Sequence, residues 1–187
     1  PENSIKTVEF IVTNNIEEVY ESIKNISHGL YNGIENGKLE IQESNKGENF
    51  KIAQDSTVTF GSKFTLVGNS ANFELNISDK FKTMDTNDIK IYRVSKDLSE
   101  GNKLIPIVSG VIGIQGNNNF KISINNVKED NNDLETEILV IYQGRVKEGL
   151  GSKQILINEI KFSNISKDVI ISTPNTMDGS PSLPDLF

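Results

Sequence analysis

Cysteine is absent from the 187 residues, and so is tryptophan. Without cysteine there is no disulfide framework, no thiolate metal site and no cysteine nucleophile. Histidine occurs once, as His28. Metal sites normally recruit several ligands, so a single histidine is expected to be structural, and the sequence places it at the surface near a helix end. A Ser-His-acid site would have to use this same His28, and no Gly-x-Ser-x-Gly elbow accompanies it. Arginine occurs only at Arg93 and Arg145, and the formal net charge is -7. Few arginines and an acidic balance argue against nucleic acid as a partner and against an anionic membrane surface. The longest apolar stretch, residues 104–114, contains Pro106 and two glycines and is far shorter than the ~20 residues of a spanning helix. No glycine loop of phosphate-binding spacing occurs, and no cofactor is expected. The chain does not open on methionine, and Pro1 reads as the start of a mature chain or of an excised segment.

What is present is alternation. Val58, Phe60, Phe64 and Leu66 share one phase, with Thr57, Thr59, Lys63 and Thr65 in the other. The same period of two returns in Phe73/Leu75/Ile77, Ile89/Ile91, Phe120/Ile122/Ile124, Ile138/Val140/Tyr142 and Leu156/Ile160/Phe162. Asn, Gly, Asp and Ser clusters separate the runs. Many short alternating strands with such punctuation predict a mostly β fold, an antiparallel sandwich, over residues 39–171. A chain of this length can bury a core without staples. Its durability outside a cell would come from packing or from a side-chain crosslink.

The first 38 residues read differently. Residues 5–12 alternate as a strand and form a plausible donor for another chain's sheet edge. Over residues 15–30, Ile16, Val19, Tyr20, Ile23, Ile26 and Leu30 fall near helical spacing, with Glu17, Glu18 and Glu21 early and Gly29 or Gly33 as a stop. Residues 1–38 are therefore predicted as a strand-plus-helix appendage. Residues 172–187, rich in Pro and Ser, are predicted as a linker or tail. They include a Leu-Pro pair that begins like a sortase signal but lacks its Thr-Gly. The clusters Asp85/Asp88 and Asp130/Asp133/Glu135 are the acidic runs to compare with a calcium loop, which needs six to eight oxygens. Neither has the EF-hand spacing, and both read as turns between strands.

Over residues 56–163 the chain resembles the Ig-like modules of Gram-positive adhesins and pilins, including collagen-adhesin-type domains. The residues that carry this are Asp55-Ser56-Thr57-Val58-Thr59-Phe60 at a strand opening, and Phe73-Glu74-Leu75-Asn76-Ile77-Ser78-Asp79 at a strand end. Glu137 to Val146 resembles a late "Y-x-x-K/R-V" strand, and Ile155-Leu156-Ile157-Asn158-Glu159-Ile160 the final strand. The resemblance implies a Lys–Asn isopeptide crosslink assisted by a buried acid. Such chemistry needs an uncharged lysine in a dry core, where burial lowers a lysine's pKa and raises a carboxyl's. Phase puts Asp79 with Phe73, Leu75 and Ile77, and Asn158 with Leu156, Ile160 and Phe162, so both are expected to point inward. Lys51 is the best-placed lysine and Lys46 the next, while Lys63 belongs to the opposite phase. The other reading of the same residues has Asp79 ending its strand in a turn and Asn158 satisfying backbone groups.

The expected function is a non-enzymatic structural or adhesive module of a bacterial cell-surface protein, a component of a pilus, stalk or surface layer. Its partners would be other surface-protein subunits or an extracellular ligand. The alternative is a binding module for a glycan, a matrix protein or calcium.

Overall fold

The computed structural model describes residues 22–44, 50–96, 104–114 and 117–175. Among the described residues, twelve strands build two six-stranded sheets packed face to face, a β-sandwich. The first sheet runs β2 (Lys38–Gln42), β1 (Ser22–Glu35), β4 (Thr57–Val67), β10 (Glu135–Arg145), β6 (Ile89–Val94), β7 (Leu104–Pro106). The second runs β3 (Phe50–Lys51), β12 (Ser166–Ser172), β11 (Ile155–Lys161), β5 (Ser70–Asn76), β9 (Asn119–Asn125), β8 (Ser109–Gly113). All pairings are antiparallel except β3 with β12.

The alternating phase of the sequence becomes the inner faces. In β4, Val58, Phe60, Phe64 and Leu66 are buried, and in β10 Ile138 and Tyr142 lie opposite Phe64 and Phe60, with Val140 between them opposite Ser62. The β4–β10 ladder is unbroken from Arg145↔Thr57 to Glu135↔Val67, so no slip can turn the apolar side outward. The second sheet contributes Phe73, Leu75, Ile122, Ile124, Leu156, Ile160, Val169 and Ile171. Rings fill the centre. Phe64, Phe73 and Phe162 meet with centroids 4.9–5.5 Å apart, and Phe60 stacks on Tyr142 at 5.0 Å while receiving the edge of Phe81 at 5.7 Å. These are favourable aromatic geometries that add to the burial of area.

The helix predicted to reach Leu30 is not there over the described part of its span: residues 22–35 are strand β1, inside the first sheet between β2 and β4. A β-bulge produced the false period. Asn25 has φ 57°, and the register with β4 shifts between Lys24 and Ser27. The extra residue sets Ile23 and Ile26 three apart, although both pack on the core, and His28 and Leu30 then follow at the ordinary spacing of two. Residues 5–12 and 15–21 lie outside the described residues. Asn36-Gly37 forms the β1–β2 turn with both φ values positive (52° and 72°), the pairing that a two-residue hairpin favours. Asn32-Gly33, the other turn dipeptide, instead sits within β1 where its register with β2 shifts. At the C-terminal end the ordered backbone passes the predicted tail boundary: Thr173 is buried and its N–H donates to the Gln154 carbonyl at 2.9 Å.

Candidate functional site: a buried relay between the sheets

Strand phase brings three polar side chains into the oily interlayer. His28 of β1 lies opposite Ser62, Tyr142 of β10 lies between Phe60 and Ile89, and Asn158 of β11 lies opposite Val169. All three are essentially without solvent contact. Each unpaired polar group here would cost on the order of 1–3 kcal/mol, so their partners decide whether the site is tolerable.

The hydrogen-bond accounting closes and fixes the direction of every bond. His28 Nδ1 is 2.9 Å from the carbonyl oxygen of Lys167 on β12. A carbonyl only accepts, so Nδ1 carries the proton. His28 Nε2 lies 2.7 Å from the Tyr142 hydroxyl. In the neutral ring Nε2 is then the acceptor, and Tyr142 donates to it. The Tyr142 oxygen is in turn hydrogen-bonded by the Asn158 side chain. Asn158 Oδ1 accepts from the Ser78 backbone N–H at 3.0 Å, which leaves its amide N–H for Tyr142. The resulting chain runs from the Ser78 amide through Asn158, Tyr142 and His28 to the Lys167 carbonyl. It ties β1 and β10 of one sheet to β11 and β12 of the other.

Burial sets the charge state. Removal from water pushes the His28 pKa down from 6.5 to about 4, only partly opposed by the Lys167 carbonyl. Burial pushes the Tyr142 hydroxyl far up, partly opposed by the hydrogen bond from Asn158. Both groups are neutral at pH 7, which the bond directions require. The relay is therefore a neutral polar tie whose three side chains are buried.

A second buried amide acts locally. Asn118 Oδ1 accepts from the Met84 N–H at 2.9 Å, and its amide nitrogen donates to the carbonyls of Ser78, Phe81 and Lys82 at 3.2–3.4 Å. It holds the crossing between β5 and β6 in place. Its sequence position, within a run of three asparagines, gave no sign of this.

Of the residues predicted for a crosslink, only Asn158 is inside. Asp79 is exposed, contrary to the inward direction read from its phase. β5 ends at Asn76 and the chain turns, with the Phe81 N–H bonded to the Ser78 carbonyl at 3.1 Å, so the beat of two stops before Asp79. Lys51 is exposed on β3, opposite Ser172. Asn158 lies two strand positions away, about 10 Å across the sheet, opposite Val169 and facing the core. The structure does not bring Lys51, Asp79 and Asn158 together. Lys46 lies outside the described residues. Lys63 is half-buried on the outer face, 3.8 Å from Glu137. The placement of His28 at the surface is likewise overturned, for the bulge turns it to the core side of a strand. The two acidic clusters use their carboxylates as turn caps. Asp85 accepts from the Asn87 N–H and Asp88 from the Asp85 N–H, and Asp130 and Asp133 repeat the pattern. Asp133 also pairs with Lys96, which holds its carboxyl below the usual range.

Outside the core, Asp55 receives Arg145 Nε at 2.7 Å and Lys82 Nζ at 3.3 Å, and these two cations hold its carboxyl well below the usual range. Among the described residues, no helix is long and apolar enough to cross a membrane.

No family model matches the chain, and no curated protein matches it. Solved structures do. The pilus backbone protein RrgB of Streptococcus pneumoniae superposes with a TM-score of 0.51 at 11% identity, over 75% of this chain and 52% of that one. The chain shares the β-sandwich fold of part of that protein. The chain thus spans about half the length of the pneumococcal protein. BcpA, the major pilin subunit of Bacillus cereus, matches with a TM-score of 0.47 at 15% identity, over 81% of this chain and 41% of that chain. The collagen-binding domain of a Staphylococcus aureus adhesin matches with a TM-score of 0.35 at 8% identity, over 62% and 88% respectively. In this sandwich the relay lies between the sheets and ties them by hydrogen bonds.

Proposed function

We propose that this chain is a structural or adhesive module of a bacterial cell-surface protein, exposed outside the cell and without catalytic activity. The observation that carries the reading is the sandwich itself, with the fold of a pilus backbone domain and a core closed by a satisfied polar tie. Fold alone does not dictate function. The chemistry of this chain supports the same reading. Its only histidine has both ring nitrogens committed inside the core and is not offered to a substrate. Lacking cysteine, the chain needs no oxidant to reach its folded state. Its acidic surface suits solubility rather than contact with nucleic acid.

The relay gives the module its mechanical sense. Pulling the sheets apart requires breaking hydrogen bonds made by buried side chains, which are stronger there than in water. The test is surface accessibility in the source cells. Antibodies to the folded module should label intact cells, and brief protease treatment of intact cells should remove the signal. Labelling only after lysis would refute the location, and a substrate-dependent turnover by the purified chain would refute the absence of catalysis.

A further inference from the structure

A β-sandwich leaves four strand edges, and three of the four here are blunted. β2 carries Lys38 and Glu40, β7 contains Pro106, and β3 is two residues long. Charge, proline and shortness are the usual means of keeping an edge from recruiting another strand. β8 has none of these. It ends the second sheet with β9 as its one neighbour among the described residues. Residues 104–114 contain no charged side chain. Val108 is 87% exposed, Ile112 68% and Ile114 42%, while Val111 packs on the core. An uncharged, apolar strand with one side unpaired is a template for main-chain hydrogen bonding.

The same chain contains a segment suited to that edge. Residues 5–12, outside the described residues, alternate Val8, Phe10 and Val12, with Lys6 at the start of the same phase, against Ile5, Thr7, Glu9 and Ile11. In the ladder beside β8, the first set would extend the core past Val111, and the second would lie beside Ile112. Lys6 and Glu9 cancel, and β8 offers no charge to repel either of them.

Reach decides between one copy and two. β1 packs over β12, the second strand of its sheet, and a strand added to β8 would lie five positions further on. That is about 24 Å sideways, plus about 10 Å between sheets. The connecting residues 13–21 have a coil dimension of roughly 17 Å, so folding back onto the same copy needs a nearly extended connector. Pairing with a neighbouring copy carries no such demand. We propose that residues 5–12 of one copy add as a strand to the β8 edge of the next. The two surfaces differ, so the contact is head-to-tail and repeats into an open chain rather than closing as a dimer.

The test uses the full chain in sedimentation velocity over a wide concentration range. Wild type should form species larger than monomer, and Ile157→Lys, on the outer face of β11 away from the edge, should do the same. Phe10→Asp removes the donor and Ile112→Lys charges the edge. Each should weaken self-association by about ten-fold or more while the circular dichroism melt stays close to wild type. Val108→Lys serves as a second edge variant if Ile112→Lys melts early. Mixing Phe10→Asp with Ile112→Lys should restore one contact and stop at dimers. A chain that stays monomeric at every concentration overturns the proposal, as does assembly unchanged in both variants. Hydrogen-exchange protection, persisting in the dilute monomer, of the residue 109–113 amides that point away from β9 also overturns it, because the edge is then covered within one copy.

Discussion

Between pH 6.5 and 5, acidification destabilises this protein through one residue, His28. His28 is buried neutral with its pKa lowered from 6.5 to about 4, mainly by desolvation. In the unfolded chain the same imidazole takes a proton near pH 6.5, so the unfolded state binds more protons between the two values. Stability contributed by the neutral core histidine is thus fully present above about pH 6.5 and is lost as the pH falls toward 4. At pH 4.5, two units below the unfolded value and still above the folded one, the loss is about 2.5 kcal/mol. That is a large part of a typical domain's stability. The assay is urea unfolding at pH 7.5, 6.5, 5.5 and 4.5 for wild type and His28→Gln. The chain has no other histidine, so the wild-type slope between pH 6.5 and 5 has no second imidazole to explain it. Carboxylates contribute below that window in both proteins and cancel in the comparison. His28→Gln should be less stable at pH 7.5 but nearly flat from 6.5 to 5. Parallel slopes for the two proteins would refute the burial of a neutral histidine.

Three further outcomes follow from the same geometry. Tyr142→Phe removes the donor to His28 Nε2 and the acceptor for Asn158, leaving polar atoms unpaired in the core; unfolding should show a loss of about 1–3 kcal/mol, and an unchanged midpoint would mean the hydroxyl is not engaged. Gly29→Ala builds a Cβ 2.1 Å from the Gln42 carbonyl oxygen, a backbone atom that cannot step aside, so hydrogen exchange should show β2 released from β1, and an unperturbed β1–β2 ladder would contradict the register. Intact mass spectrometry should give the mass of the unmodified chain, because Asn158 is engaged by Ser78 and Tyr142 and Lys51 lies outside; a deficit of one ammonia would reveal an internal Lys–Asn bond.

The sandwich was legible because burial in a two-sheet core writes a period of two. The β4 run Val58–Phe60–Phe64–Leu66 and the β10 run Ile138–Val140–Tyr142 needed no tertiary information to be read. The inward direction of Asn158 followed from the same beat. What failed did so where the beat breaks. The bulge at Asn25 placed two inward residues three apart and imitated a helix, which hid both β1 and the orientation of His28. The turn after Asn76 ended the phase one step before it was applied to Asp79. The relay itself was out of reach, since its members are 114 positions apart between His28 and Tyr142 and only the stacking of the sheets joins them.

The central claim is that His28 sits inside as a neutral ring, protonated on Nδ1, receiving the Tyr142 hydroxyl on Nε2. Nitrogen-detected NMR of the ¹⁵N-histidine-labelled chain addresses it directly, since the two ring nitrogens report their protons separately. The account predicts a single signal pair with Nδ1 protonated and Nε2 bare, unchanged from pH 7.5 down to about 5. A ring titrating near pH 6.5, or one protonated on Nε2, would contradict it.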